Sequence, residues 1–424
     1  MNAMNRRKTL LALIVIIALV TSMSTYAEDE NVVYDFEQLT NRLYAENLEI
    51  LKMDNNIMIM NLSYDEALED YDDLQDTVEK AKDNLDLQKK YKDQAEERYL
   101  EADKSERKFT HDMLDIRNQA YEASLDAYKN IIKQEMSLIS TMEQLKLQIE
   151  QGDRQQEVLK LTEENELKNS YYNLYILNRE IELLKTDIEN INKQKEIEKT
   201  RQELDMSTDE ELQSIKDTIN TMQLTLQQLE NQKELAKESL KTKINMPVEE
   251  ELNIEWEISD VDESVDYSLA DLISDFKENS LELASLEKNI EIKDIILEKS
   301  HEAYDDVEGN EVNLALLELK NSELDKQINE RDMELYVKQA YFDFKTKKLD
   351  LFVKKVSNQY YIEKEKNLEA RYEQGSISEL QYDMEMQQLK RDKFESDKAK
   401  INYLLAKSKL ELISEGIMLM GGSM

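Results

Sequence analysis

The chain has 424 residues, with 6 Gly, 1 Pro and no Cys, and 93 acidic against 55 basic side chains for a formal net charge of −38. Gly and Pro together make up under 2% of it, where an ordinary protein carries roughly 12%, so a chain that can turn so rarely excludes sandwiches, large β-barrels and wound α/β enzymes and leaves long helices. The acidity argues against nucleic acid as a partner, and the lack of Cys excludes disulfides, thiolate metal sites, cysteine nucleophiles and a lipidated cysteine anchor.

Residues 1–27 read as an export signal. Arg6, Arg7 and Lys8 precede the apolar run Leu10 to Val20, and Thr25-Tyr26-Ala27 offers small residues at the −3 and −1 positions. Eleven apolar residues are too few to cross about 30 Å as a helix, so cleavage after Ala27 is expected. The rest is dominated by helical periodicity. Ile215, Ile219, Met222, Leu226 and Leu229 alternate steps of four and three, the spacing of a coiled-coil seam. Breaks are predicted near Ser105–Thr110, at Asp205–Asp209, at Met246-Pro247, at Asp305–Asn310 and at Glu373–Ser376. Leu252 to Ile258 alternates at period two, like one short strand.

The chain also repeats itself. Tyr34–Leu39 matches Tyr267–Leu272 at an offset of 233, as Leu48-Glu49-Ile50 matches Leu281-Glu282-Leu283. Further on, Tyr171-Tyr172-Asn173-Leu174 matches Tyr341-Phe342-Asp343-Phe344 at an offset of 170. The drop in offset leaves about 63 extra residues, helical in spacing, in the first half between Leu74 and Tyr171. In the second half helices are expected over about 268–304, 313–372 and 378–415. The middle one is ~90 Å long at 1.5 Å per residue, so the two shorter helices can lie end to end beside it. The resulting division is 34–245 for the first repeat with an insert within 75–170, 246–266 for a linker, 267–416 for the second repeat and 417–424 for a tail.

Little in the sequence suggests an enzyme, and it calls for no cofactor and no metal. His111 and His301, the two histidines, lie on polar helical stretches. The acidic run Asp305–Glu311 around Gly309 lacks the Asp-x-Asp-x-Asp-Gly spacing of a calcium loop and reads as a capped turn. Tyr171, Tyr172, Tyr341 and Phe342 read as repeat-packing residues, and Trp256 as packing the linker on the rod.

The segment Ala370-Arg371-Tyr372-Glu373-Gln374-Gly375-Ser376-Ile377-Ser378-Glu379-Leu380, followed by Asn402-Tyr403-Leu404-Leu405-Ala406, resembles the TolC family of outer-membrane efflux and secretion channels. So do the openings of the two halves, Asn47-Leu48-Glu49-Ile50 and Asn279-Ser280-Leu281-Glu282-Leu283, though without the Pro that usually follows that Asn. The resemblance spans about residues 34–415. It implies an all-α fold of long antiparallel coiled-coil helices in two tandem repeats, a TolC-like α-helical barrel protomer, with at most a short strand near 252–258. It implies a homotrimer in the cell envelope, working with a periplasmic adaptor (a membrane fusion protein) and an ABC or similar inner-membrane transporter. Met206 and Ser207 in one half, and Gly375 and Ser376 in the other, would form the tip turns facing that partner. The family inserts two barrel strands between the first and second helix of each half. Only the eight residues Asp305–Val312 stand there in the second half, and no alternating strand pair stands there in the first. The membrane barrel is therefore expected to be missing. Two functions remain: a passive efflux or secretion conduit, or a non-transporting structural or interaction protein derived from the same family.

Overall fold

A computed structural model of the chain describes residues 33–258, 261–262, 264–304 and 310–419. The export signal at 1–27 and most of the acidic run at 305–309 lie outside the described residues. In chain order the first half comprises β1 (Val33–Tyr34), α1 (Phe36–Glu46), α2 (Leu48–Glu101), α3 (Arg107–Glu150), α4 (Gly152–Glu203) and α5 (Asp209–Lys243). The second half comprises β2 (Asn253–Ile254), α6 (Leu269–Asn279), α7 (Leu281–Tyr304), α8 (Asn310–Glu373) and α9 (Glu379–Ser414).

The fold is all-α, as expected, and the alternating stretch 252–258 yields only the two residues of β2, paired parallel with β1. One expected helix is in fact two. The run from 268 to 304 breaks at Ser280, whose backbone is extended (φ −73°, ψ 114°) and whose hydroxyl accepts from the Leu283 amide. Asn47 makes the same break in the first half, with extended backbone and its side chain accepting from Glu49 and Ile50. Neither break needs Pro or Gly, because a cap side chain can replace the missing helical partner, and that is why the pattern of apolar residues concealed it.

The two halves correspond in their exceptions as well as their rules. Among the described residues four have a left-handed backbone: Asp205, Asn245, Gly375 and Gly416. Asp205 stands 170 positions before Gly375, and Asn245 stands 171 before Gly416. Each closes a helix with the same double bond, one amide reaching back three residues and the next reaching back five, as in Met206 to Arg201 and Ser376 to Arg371. Asn47 Nδ2 donates to the Lys243 carbonyl, and Asn279 Nδ2 donates to that of Ser414, both at 2.8–2.9 Å.

The insert is a lengthened helical hairpin. On the outward path α2 has 54 residues where α7 has 24. On the return path α3 and α4 have 44 and 52 where α8 has 64. The return path is close to one continuous rod, since Gln151 between α3 and α4 leaves the helical region only slightly (φ −93°, ψ 0°). Gly152 permits this break to press on α2: a Cβ there would lie 3.3 Å from the Ile57 side chain.

Four antiparallel helical strands lie side by side. α2 packs on α3 and α5 on α4; α3 packs on α7 and α4 on α9; α7 and α9 both pack on α8. The order is therefore α2/α5, then α3–α4, then α7/α9, then α8, with two elements end to end in the first and third strands. Two cores sit at mid-height. One joins Leu39, Leu43, Leu167, Tyr171, Leu240 and Ile401, and the other joins Phe276, Val337, Phe344, Tyr403, Leu410 and Ile413.

The hairpin is clipped to the second half by one buried ion pair. Glu135 on α3 is fully buried, and it accepts from Lys299 Nζ on α7 at 3.0 Å and from Gln75 Nε2 on α2 at 2.8 Å. Burial works against the Lys299 ammonium, but Glu135 outweighs it and holds the lysine above its ordinary pKa. Glu135→Ala should cost about 1–3 kcal/mol, the penalty for stranding the partners of a buried acceptor. A fall in the thermal midpoint is the measurable result, and an unchanged midpoint would show the clip to be dispensable.

Candidate functional site

The parts of this molecule able to act on something else are its two tip turns, its mid-height belt and its two open edges. A tight turn joins two helices at each proposed tip, and in the first the residue that makes the turn is Asp205, one before Met206. Asp205, not Met206 or Ser207, takes the left-handed conformation (φ 58°), matching Gly375 (φ 67°). Met206 is 65% exposed at the apex. Ser207 Oγ donates to Glu211 at 3.0 Å, and Thr208 forms a capping box with the same Glu211. The Thr208 amide, with the Ser207 and Thr208 hydroxyls, holds the Glu211 carboxyl below its ordinary pKa. Ser376 donates its amide to the Arg371 carbonyl, and Ser378 caps α9 by accepting from Gln381. Beneath this turn Tyr372 and Tyr382 stack at 4.5 Å. Gly375 itself has open space around it.

At mid-height the aromatic residues strap the linker to the rods. Tyr171 Oη accepts from the Glu257 amide at 2.9 Å and donates to the Glu255 carbonyl at 3.1 Å. Trp256 packs on Tyr171 and Tyr175, with ring centres 5.1 and 5.8 Å away. Tyr403 Oη donates to the Asp262 carbonyl. Tyr175 Oη donates to Asp397 at 3.3 Å, and burial pushes that carboxyl above its ordinary pKa although Tyr175, Arg179 and Lys400 pull it down. A raised carboxylate pKa means that the folded chain holds the proton more tightly, so Asp397 loses stability for the fold as pH rises through the carboxylate range. Asp397→Asn should therefore raise the thermal midpoint at pH 7 and leave it nearly unchanged below pH ~4. The opposite pattern would mean that the ion attractions outweigh burial.

The edges carry the strongest signal. α8 is apolar on two opposite sides. Val337, Ala340, Phe344 and Leu351 are buried against the neighbouring helices of the chain. Leu314, Ile328, Leu335, Phe342, Leu349 and Val356 repeat at multiples of seven and are 46–67% exposed. Residues two apart on a helix point about 200° from one another, so Phe342 and Phe344 face opposite ways. Phe342 therefore departs from the expected role of packing within the repeat. Its equivalents show why. Tyr172, 170 positions earlier on α4, is buried to 6% exposure, while Phe342 is 60% exposed. Asn165, Leu183 and Asn190 on α4 are likewise buried, and their counterparts Leu335, Val353 and Tyr360 are exposed. α4 has a helix on each flank, α5 and α9, whereas α8 has one flank covered and one open. The opposite edge of the sheet mirrors this. Phe394 of α9 is buried, and its equivalent on α5, Leu224, is 64% exposed, with Leu235 at 73%.

Among the described residues no helix is long and apolar enough to cross a membrane, and no group of three or more His, Asp or Glu is placed to hold a metal ion. His111 is exposed and pairs with Asp115 at 3.2 Å. No family model and no curated protein matches the sequence. Solved structures do match. The outer membrane channel CmeC of Campylobacter jejuni is 15% identical over 65% of this chain and 67% of that one, with a TM-score of 0.50. A membrane protein from Pseudomonas aeruginosa is 11% identical over 66% and 71%, with a TM-score of 0.49. CusC is 8% identical over 93% and 94%, also at 0.49. Four antiparallel helical strands, with corresponding tip turns and cap breaks in the two halves, match the helical part of such a structure, and the chain has a TolC-like fold.

Proposed function

We propose that the chain is an exported conduit component of the cell envelope, in which three copies close into a tunnel and work with an inner-membrane adaptor and transporter. The observation that carries this reading is the unmatched edge of α8. Within one chain the first repeat's long helix is flanked by the second repeat's α9. Quasi-equivalence then asks that α8 be flanked by the α5 and α2 of a second copy. α2 supplies exposed Leu48, Leu51, Met58, Ile59 and Leu62 for this contact, and α5 supplies Leu224 and Leu235. Two different edges that fit each other make a head-to-tail contact, which closes into a ring. The trimer number and the partner proteins come from the TolC resemblance. Transport through such a ring is passive, and the tips at Asp205 and Gly375 are where it would meet its partners.

Deleting the gene in its host and following export of drugs or peptides tests the function. Lost export, restored by the intact gene, is the expected outcome. The second reading, a structural protein that kept the rods and lost transport, is favoured by one observation. A helical hairpin occupies the place where the family carries its barrel strands. Unaltered export with a disturbed envelope would select it.

A further inference from the structure

Inside the chain, α4 and α9 hold one register along their whole contact. Lys193 pairs with Asp383, Asp187 with Arg391, Glu180 with Lys398 and Lys168 with Ser408, so facing residues carry numbers that add to 576–578. Three pairs at 577 lie on this seam. Tyr172 and Leu405 belong to the first mid-height core, Leu183 and Phe394 are 6% and 3% exposed, and Asn190 and Gln387 form a polar layer at 8% and 3%.

The open edges repeat this seam position by position. Tyr172, Leu183 and Asn190 correspond, 170 residues on, to Phe342, Val353 and Tyr360 of α8. Leu405, Phe394 and Gln387 correspond, 170 residues back, to Leu235, Leu224 and Asp217 of α5. The offset is dependable along both helices. Buried Leu174 and Ile181 become buried Phe344 and Leu351, and buried Ile219 and Leu240 become buried Leu389 and Leu410. Yet the five apolar and aromatic members on the edges are 58–73% exposed, and Asp217 is exposed with them. Distances from the tips agree as well. The α8 members stand 33, 22 and 15 residues from Gly375, and the α5 members 30, 19 and 12 from Asp205, the same spacings as within the chain.

We infer, on the ring reading above, that α8 of one copy takes α5 of the next in the register of the chain's own α4–α9 seam. Phe342 then meets Leu235 of the next copy, Val353 meets Leu224, and the Tyr360 hydroxyl donates to the Asp217 carboxylate where the internal seam has Asn190 and Gln387. A slip of one heptad is the competing arrangement. It sets Leu349 on Leu235 and Tyr360 on Leu224, so apolar contact alone does not reject it. It also brings Asp217 opposite Asn367, lifts the tips ~10 Å out of level, and leaves the Tyr360 hydroxyl against Leu224 without an acceptor. A polar pair inside an apolar helical seam is what fixes register in such cases.

The chain has no cysteine, which makes the test direct. Thr346 and Asn231 are exposed and correspond to Ile176 and Ile401, which share the first mid-height core. The full chain carrying Thr346→Cys and Asn231→Cys, oxidised in detergent, should give covalent dimers and trimers on a denaturing gel, while each single variant gives none. Val353→Cys with Asn231→Cys reports the slipped register and should link roughly tenfold less, because a disulfide needs Cα atoms within ~7 Å and one heptad is ~10.5 Å. Tyr360→Phe added to both pairs should shift linkage from the first towards the second. Light scattering on the same samples separates the possible failures. A trimer that links chiefly through Val353→Cys, or through neither pair, overturns the register and leaves the ring standing. An unchanged ratio in the Tyr360→Phe chains overturns the part given to Tyr360 and Asp217. A monomer with intact helical circular dichroism overturns the ring and the register together.

Discussion

The double variant Phe342→Asp, Leu349→Asp is expected to be a folded monomer under conditions where the proposed ring makes the parent chain a trimer. Both side chains lie on the open side of α8, at 60% and 67% exposure, so neither contributes to the core of its own chain. Burying a Phe or a Leu against a neighbour contributes about 1.5–3 kcal/mol each. Losing both weakens every interface by about 3–6 kcal/mol before any cost of burying the new carboxylates, a factor of roughly 10²–10⁴ in each dissociation constant. Light scattering reads the mass and circular dichroism reads the helix content, which should not change. A comparison variant on the buried side, Phe344→Asp, should instead unfold the mid-height core, because Phe344 has no exposure and packs on Tyr267 and Tyr403 at 5.3 and 5.4 Å. A double variant that remains trimeric with native helicity would remove the main support for the ring.

Most of this architecture was legible because helices of this kind are written in periodicities. The heptad steps of α5, the length match of the run 313–372 to the runs 268–304 and 378–415, and the offsets of 233 and 170 all follow from residues alone. What escaped the sequence reading was of two sorts. The first was a break or turn made by an ordinary residue: Ser280 divides a helix by capping it, and Asp205 makes a tip turn for which Gly is the usual choice. Scarcity of Gly and Pro maps the turns where those residues are used and is silent where a cap or a strained residue replaces them. The second was the difference between equivalent positions. Tyr172 and Phe342 occupy the same place in the repeat and have the same apolar character, so one sequence cannot say that one is covered and the other open. A signal was nonetheless present in α8. Two heptad stripes two residues apart, one through Phe344 and one through Phe342, mean a helix with two neighbours, and the described residues supply helices for only one side.

Gly416 is the position where a single methyl group should cost most. It has φ 70°, which costs a residue with a Cβ about 1–2 kcal/mol. A residue with a Cβ at Gly375 would incur that cost too (φ 67°), but the added atom would meet nothing within 4 Å. At Gly416 the same atom would lie 2.3 Å from the Asn279 carbonyl carbon, 2.5 Å from its oxygen and 2.6 Å from the Ser280 nitrogen. These are backbone atoms at the α6–α7 break, held by the bond from Asn279 Nδ2 to the Ser414 carbonyl and by the Ser280 cap. They have no rotamer by which to yield, so α9 must lift away from the break. Overpacking of this kind adds about 1–3 kcal/mol to the conformational cost. Gly375→Ala should therefore lower stability by about 1–2 kcal/mol and Gly416→Ala by about 2–5 kcal/mol, with the loss read as a fall in the denaturant midpoint at unchanged slope. The first repeat supplies the converse experiment. Asp205 and Asn245 hold the same left-handed turns with side chains (φ 58° and 50°), so Asp205→Gly and Asn245→Gly should each raise the midpoint, Asn245 the less because asparagine tolerates that region best. If Gly416→Ala proved no worse than Gly375→Ala, the close approach of the chain's last turn to the α6–α7 break would not exist in solution, and the second repeat would not be closed in the way its partner is.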